Sequence, residues 1–179
     1  MKLFFALYVA LLSSAAYAYT YQEVAQDYQA KKYEKVCNDG ASIYIRNEKN
    51  EQILTIIGDA CAKTDMINAL GYITKNLVTT SEYRETGSYF ATLVLQKKLI
   101  YQFMCDNINL KDLTLPRTSH VLSRVFEQLS KGNYKQTESG VEIVTEDMKY
   151  LLWLSKDEPK KVFIDEIKND KLVQRHWYL

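Results

Sequence analysis

The stretch Met148-Lys149-Tyr150-Leu151-Leu152-Trp153-Leu154 decides the fold class. Met148, Tyr150, Leu152 and Leu154 recur at every second residue, which is the period of a strand and not of a helix. Val141 and Ile143 keep that period upstream. Downstream, Val162 and Ile164, with Phe163 and Ile167, form the next strand. Lys156 to Lys160 and Lys168 to Lys171 are polar turns, and Leu172 to Tyr178 is a last strand. The segment from about Asn133 to Leu179 is therefore expected to be an antiparallel meander of three or four strands. Trp153 and Trp177 could pair across it. Cover over the junction with the rest of the chain is the reading preferred for both.

Upstream of about Lys131 the period changes to that of a helix. Tyr21, Val24, Ala25 and Tyr28 form one stripe, and Tyr33, Val36, Cys37, Gly40, Ala41 and Tyr44 form a second. Ile53, Leu54, Ile57, Ala60 and Cys61 mark a third helix after the polar loop Arg46–Glu51. Thr64 is placed to cap a fourth, carrying Met66, Ala69, Leu70, Ile73 and Leu77, with Asp65 in its first turn. Thr79-Thr80-Ser81-Glu82 fits a capping box for a long fifth helix through Met104, which Gly87-Ser88 could bend. After an irregular connector, Val121, Leu122, Val125, Phe126 and Leu129 give a sixth helix, ended by Lys131-Gly132. The fold class is thus α+β, a helical-hairpin region over 19–132 followed by the sheet over 133–179.

Residues 1–18 read as a cleavable secretory signal. Lys2 precedes an uncharged run of ten residues, Leu3 to Leu12, and Ala16-Tyr17-Ala18 places small residues at the cut. A spanning helix needs about twenty apolar residues, so this run is too short to be an anchor. Cleavage after Ala18 gives a mature chain that starts at Tyr19 and carries 22 basic and 22 acidic side chains. The short leader is of bacterial type, and a soluble periplasmic protein is expected. A neutral chain lacks the cationic surplus that a general nucleic-acid binder needs.

Short helices joined by brief turns predict stacked helical hairpins. Asp27, Ala30 and Lys31 recur as Asp59, Ala62 and Lys63 at an offset of 32. Ala25, Tyr28, Tyr33 and Val36 sit where tetratricopeptide repeats place their small and aromatic packing residues. Gly58-Asp59-Ala60-Cys61-Ala62-Lys63 resembles the helix-end segment of Sel1-like repeats. The resemblance covers Tyr19 to about Leu77, and it implies a partner-binding scaffold. It also implies that the first helices of the hairpins line a concave working face. The outward residues there are Gln22, Gln26, Gln29, Thr55 and Asp59, with Arg84 further along.

The material for chemistry is sparse. Cys37, Cys61 and Cys105 form no C-x-x-C and have no histidine at ligand spacing, so no metal or cofactor is expected. Cys37 and Cys61 lie on apolar faces of helices that are neighbours in stacked hairpins. In an oxidising compartment they either pair or, like Cys105, are small buried residues. Ser119-His120 cannot act as a nucleophile–base pair, because adjacent residues on a helix point apart; a surface helix start is the expectation. His176 is expected at a surface or junction, and Asp165-Glu166 on a solvated face. No phosphate-binding glycine motif or nucleophile elbow occurs. Twelve of the 14 tyrosines remain after Tyr8 and Tyr17 leave with the signal, and most fall on helix stripes.

The function expected from the sequence is a non-enzymatic periplasmic interaction or assembly module, recognising another envelope protein or peptide. Secretion, motility and envelope assembly are the candidate settings. The alternative is a carrier that holds a small ligand or peptide between helices and sheet; an enzyme of unrecognised type stands third.

Overall fold

The computed structural model describes residues 19–179. Residues 1–18, for which a cleavable signal is expected from the sequence, lie outside the described residues.

Six helices precede a five-stranded sheet. The first, α1 (Tyr21–Gln29), opens with a capping box: the Thr20 hydroxyl accepts from the Glu23 amide, and the Glu23 carboxylate accepts from the Thr20 amide. The next two, α2 (Tyr33–Tyr44) and α3 (Glu51–Lys63), pack as a hairpin, and α1 lies against both. The Cys37–Cys61 disulfide joins α2 to α3, with Cα atoms 4.8 Å apart. Cys105 is free and half-buried rather than fully enclosed.

The fourth helix departs from expectation. Thr64 ends α3 and does not start a new helix, and α4 is only Leu70–Ile73 between two 3-10 turns. The cause is Asp65, whose φ of 62° reverses the chain after Thr64. The long helix α5 (Ser81–Asp106) passes through Gly87 without interruption. Its cap is Thr80, which accepts from the Tyr83 amide, and not Thr79 as the capping-box spacing predicted. Thr79 is held elsewhere: its amide and hydroxyl donate to the Glu51 carboxylate, as does the Val78 amide. One buried acid thereby fixes the start of α3 to the turn before α5. Gly58 lets α5 approach α3, since a Cβ there would overlap the Phe90 ring. Finally α6 (Val121–Lys131) ends at Gly132 with φ 74°.

The sheet has the order β1 (Lys135–Thr137), β2 (Gly140–Val144), β3 (Lys149–Leu154), β4 (Val162–Lys168), β5 (Lys171–Tyr178), all neighbours antiparallel. This is one strand more than the larger count expected. The three-residue β1 is exposed throughout and leaves no burial pattern to read. Asn169 and Asp170 both take positive φ in the β4–β5 turn, the geometry that keeps a tight hairpin's twist. Val141, Ile143, Tyr150, Leu152, Val162, Ile164 and Tyr178 face inward and join the same buried cluster as the helices. The opposite face carries Trp153, Phe163 and Trp177. Phe163 pairs with Trp153 on one side and Trp177 on the other, and the Trp153 and Phe163 rings stack 4.1 Å apart. Trp153 lies on the outward face away from the helix–sheet junction, whereas Trp177, 49% exposed, borders the groove where the end of β5 meets the helical layer.

No helix among the described residues is long and apolar enough to cross a membrane.

Candidate functional site

The inward face of the sheet carries ionisable groups at one corner. Glu166 follows Val162 and Ile164 on the inward phase of β4, and His176 precedes Tyr178 on that of β5. The turn after α3 brings Asp65 to them, and the start of α6 brings His120 and Arg124.

His176 is the hub. Its Nδ1 lies 2.7 Å from Asp65 Oδ2, and its Nε2 lies 2.9 Å from Glu166 Oε1. Both ring nitrogens face carboxylates, so both must donate and the ring is an imidazolium. Burial alone would lower its pKa, but the hydrogen bonds and charges of Asp65 and Glu166 outweigh that and push it up to about 9. Arg124 Nη2 donates to both Glu166 oxygens at 3.1 Å. The Tyr178 hydroxyl donates to Asp65 Oδ1, and burial in front of that carboxylate raises its pKa well above 10.0.

His120 takes the other protonation state. Its Nδ1 accepts from the Leu122 amide, capping α6, and Nε2 is left to donate to the Ala62 carbonyl at 3.2 Å. A ring nitrogen that accepts carries no proton, so His120 is neutral although Asp65 lies 3.7 Å from it. Burial pulls its pKa below the ordinary value, and Asp65 only partly opposes this. One corner thus holds a charged and a neutral histidine around one aspartate.

This arrangement neutralises itself: Asp65 and Glu166 face His176 and Arg124. Each histidine nitrogen and each of these carboxylates is engaged within the protein. The ring nitrogens of both histidines are taken up within the protein, and the cluster joins the α3 turn, α6 and the sheet. Among the described residues no group of three or more metal-ligating side chains has the geometry to hold an ion.

Comparison with protein-family models, with curated proteins and with solved structures finds no match to this chain. The functional reading therefore rests on the molecule's own geometry.

Beside the cluster runs a groove of about 580 Å³. Its walls come from α2, the segment 64–69, Lys97 of α5 and the end of β5; Cys37, Met66, Asn68 and Trp177 are among the lining residues.

The residues expected to line a concave face are placed as follows. Gln22, Gln26 and Gln29 are exposed on α1. Thr55 is half-buried, and its hydroxyl is enclosed without a hydrogen-bond partner, so it is not an outward polar group. Asp59 accepts from the Tyr28 hydroxyl and pairs with Lys63. Arg84 is exposed, but its guanidinium donates to the Val78 and Thr79 carbonyls. The three glutamines are the free polar groups of this set.

Two sequence expectations are corrected at the polar corner. His120 is not a surface helix start, because its side chain is 12% exposed and wedged against α3. Asp165 and Glu166 do not lie on a solvated face; both are buried. Glu166 lies under Arg124, while Asp165, on the opposite face, is covered by Arg175 at 2.6 Å and receives the Trp153 indole N–H. His176 is indeed at the junction, yet it is the centre of the polar corner. The available signal was phase: Glu166 and His176 alternate with the inward residues Ile164 and Tyr178.

Proposed function

We propose that this chain is an exported, non-enzymatic protein-interaction module of the bacterial periplasm, serving an envelope machine of secretion, motility or envelope assembly. The observation that carries the reading is the outer face and terminal strand of the sheet. Strand β5 ends the sheet order, and its first five residues are exposed. Leu172 is 53%, Val173 61% and Trp177 49% exposed. An eight-residue edge strand with these exposed apolar side chains offers unpaired backbone groups and side-chain contacts to an added strand. The Trp153–Phe163 stack, crossed by Arg175, continues the surface inward from that edge. Tryptophan and arginine are the residue types that dominate interface energetics. The Cys37–Cys61 bridge supports an oxidising compartment. Both histidines of the polar corner have their ring nitrogens engaged within the protein, which favours a structural over a catalytic role for them.

The helices α1 to α3 are read here as a tetratricopeptide-like stack that supports the sheet. Its rival working surface is the α1 row Gln22, Gln26 and Gln29. A pull-down after crosslinking in intact envelopes separates the two. Leu172→Asp with Val173→Asp should abolish partner recovery at an unchanged melting temperature. Glutamate at the three α1 glutamines should leave recovery intact. The reverse pattern would move the surface to α1.

A second reading, a small-ligand carrier, is favoured by the groove between helices and sheet.

A further inference from the structure

Among the described residues, five carboxylate, lysine or histidine side chains are buried: Glu51, Lys97, Asp165, Glu166 and His176. Four of them have their charge answered. Glu51 accepts from two backbone amides and the Thr79 hydroxyl. Asp165 faces Arg175, Glu166 faces Arg124 and His176, and His176 faces Asp65. Lys97 is the exception. It is 5% exposed, and its ammonium donates to the neutral Asn68 amide oxygen at 2.6 Å. No carboxylate among the described residues acts on it; burial and the neighbouring Lys98 both push its pKa down. A lysine is almost never fully buried unless it is paired, because the desolvation cost is otherwise unopposed.

Lys97 and Asn68 both line the groove beside the polar corner. Cys37, Ala41, Met66, Ile67 and Trp177 supply apolar wall. Asp65 and Tyr178 also face the groove, but the aspartate is committed to His176 and the hydroxyl to Asp65. The volume, about 580 Å³, lies within the range of small-molecule sites, roughly 300–1,000 Å³. Glu34 on the lining disfavours a polyanion.

We propose that this groove binds an apolar monocarboxylate, whose carboxylate meets the buried ammonium of Lys97 beside Asn68 while its hydrocarbon body lies against the wall that ends at Trp177. The inference rests on the carrier reading and specifies its ligand class. A buried ammonium that no carboxylate among the described residues pairs with gains a counter-ion when the ligand arrives, so the site selects the anion over its neutral analogue. The cost of the empty state is a stability sacrificed for binding.

The test uses the chain from Tyr19 to Leu179, titrated with octanoate and with 1-octanol, followed by tryptophan fluorescence and by calorimetry. Octanoate is expected to bind at least about tenfold more tightly than octanol, the difference a charge-assisted hydrogen bond makes. Lys97→Met should remove that preference and leave the empty protein as stable as before or more so. Lys97→Gln, which keeps a donor for Asn68, is the second neutral variant and should also lose the preference. Equal affinity for the two probes in the native chain would overturn the carboxylate assignment and leave the carrier reading standing. No binding of either would overturn both.

Discussion

At the scale of single residues, the histidines set how stability depends on pH. His176 has a folded pKa of about 9 against an ordinary 6.5. A raised value means the folded state holds the proton more tightly. This stabilisation is complete below about 6.5 and is lost as pH rises through 9. His120 has the opposite sign: it is kept neutral, so stability falls as pH drops below the ordinary histidine value. Glu166, held below the carboxylate range by His176 and Arg124 despite burial, adds stability that is lost in acid. Thermal unfolding across pH should therefore peak near neutral to slightly acid pH and decline steadily on the alkaline side. His176→Gln should lower stability by ~3 kcal/mol, since it leaves the buried Glu166 and the half-buried Asp65 short of a partner. It should also flatten the alkaline decline, and an unaltered alkaline limb in the variant would remove His176 from this role. These roles were hard to read from sequence for a physical reason. Glu166 was assigned to water because lysines lie nearby in the chain, whereas its strand phase points it inward. Asp65 was read as the first turn of a helix, and nothing local in the sequence announces that a residue 111 positions from His176 is its partner.

At the scale of elements, close approaches govern what the helices do. Gly58→Ala would press a methyl group into the Phe90 ring and push α5 off α3, at a cost of ~1–3 kcal/mol. A urea midpoint unchanged by this substitution would contradict the packing described. Glu51→Ala should speed hydrogen exchange at the Val78 and Thr79 amides, which the carboxylate holds, without touching α6 or the sheet. The long amphipathic pieces were legible: α2, α3, α5 and α6 follow their apolar stripes, and β2, β3 and the start of β4 follow their alternation. What failed were short or reversed pieces. Of the α4 stripe, Leu70, Ile73 and Leu77 are buried and Met66 and Ala69 half-buried, while Ile67, outside the stripe, is buried with them. Periodicity records burial, however, and the left-handed Asp65 starts that segment in 3-10 turns. The α5 cap slipped by one residue because Thr79 was already committed to Glu51.

At the scale of the molecule, sheet and helices share one buried cluster, tied at a corner by Asp65, Arg124, Glu166 and His176. Removing the chain from Val141 onward takes away the covering of the helical layer and strips Asp65 and Arg124 of their partners. The truncated chain should melt well below the intact one, and an equal melting temperature would mean that the two parts fold independently. The same architecture leaves the outer sheet face and the free edge of β5 exposed, and the proposed function lies there. The most direct test places a photo-crosslinking residue singly at Val173, Trp177, Gln26 and Arg84, each exposed, in the full-length protein in intact cells. The account predicts discrete partner adducts from Val173 and Trp177 and none from Gln26 or Arg84. Adducts confined to Gln26 and Arg84 would contradict it.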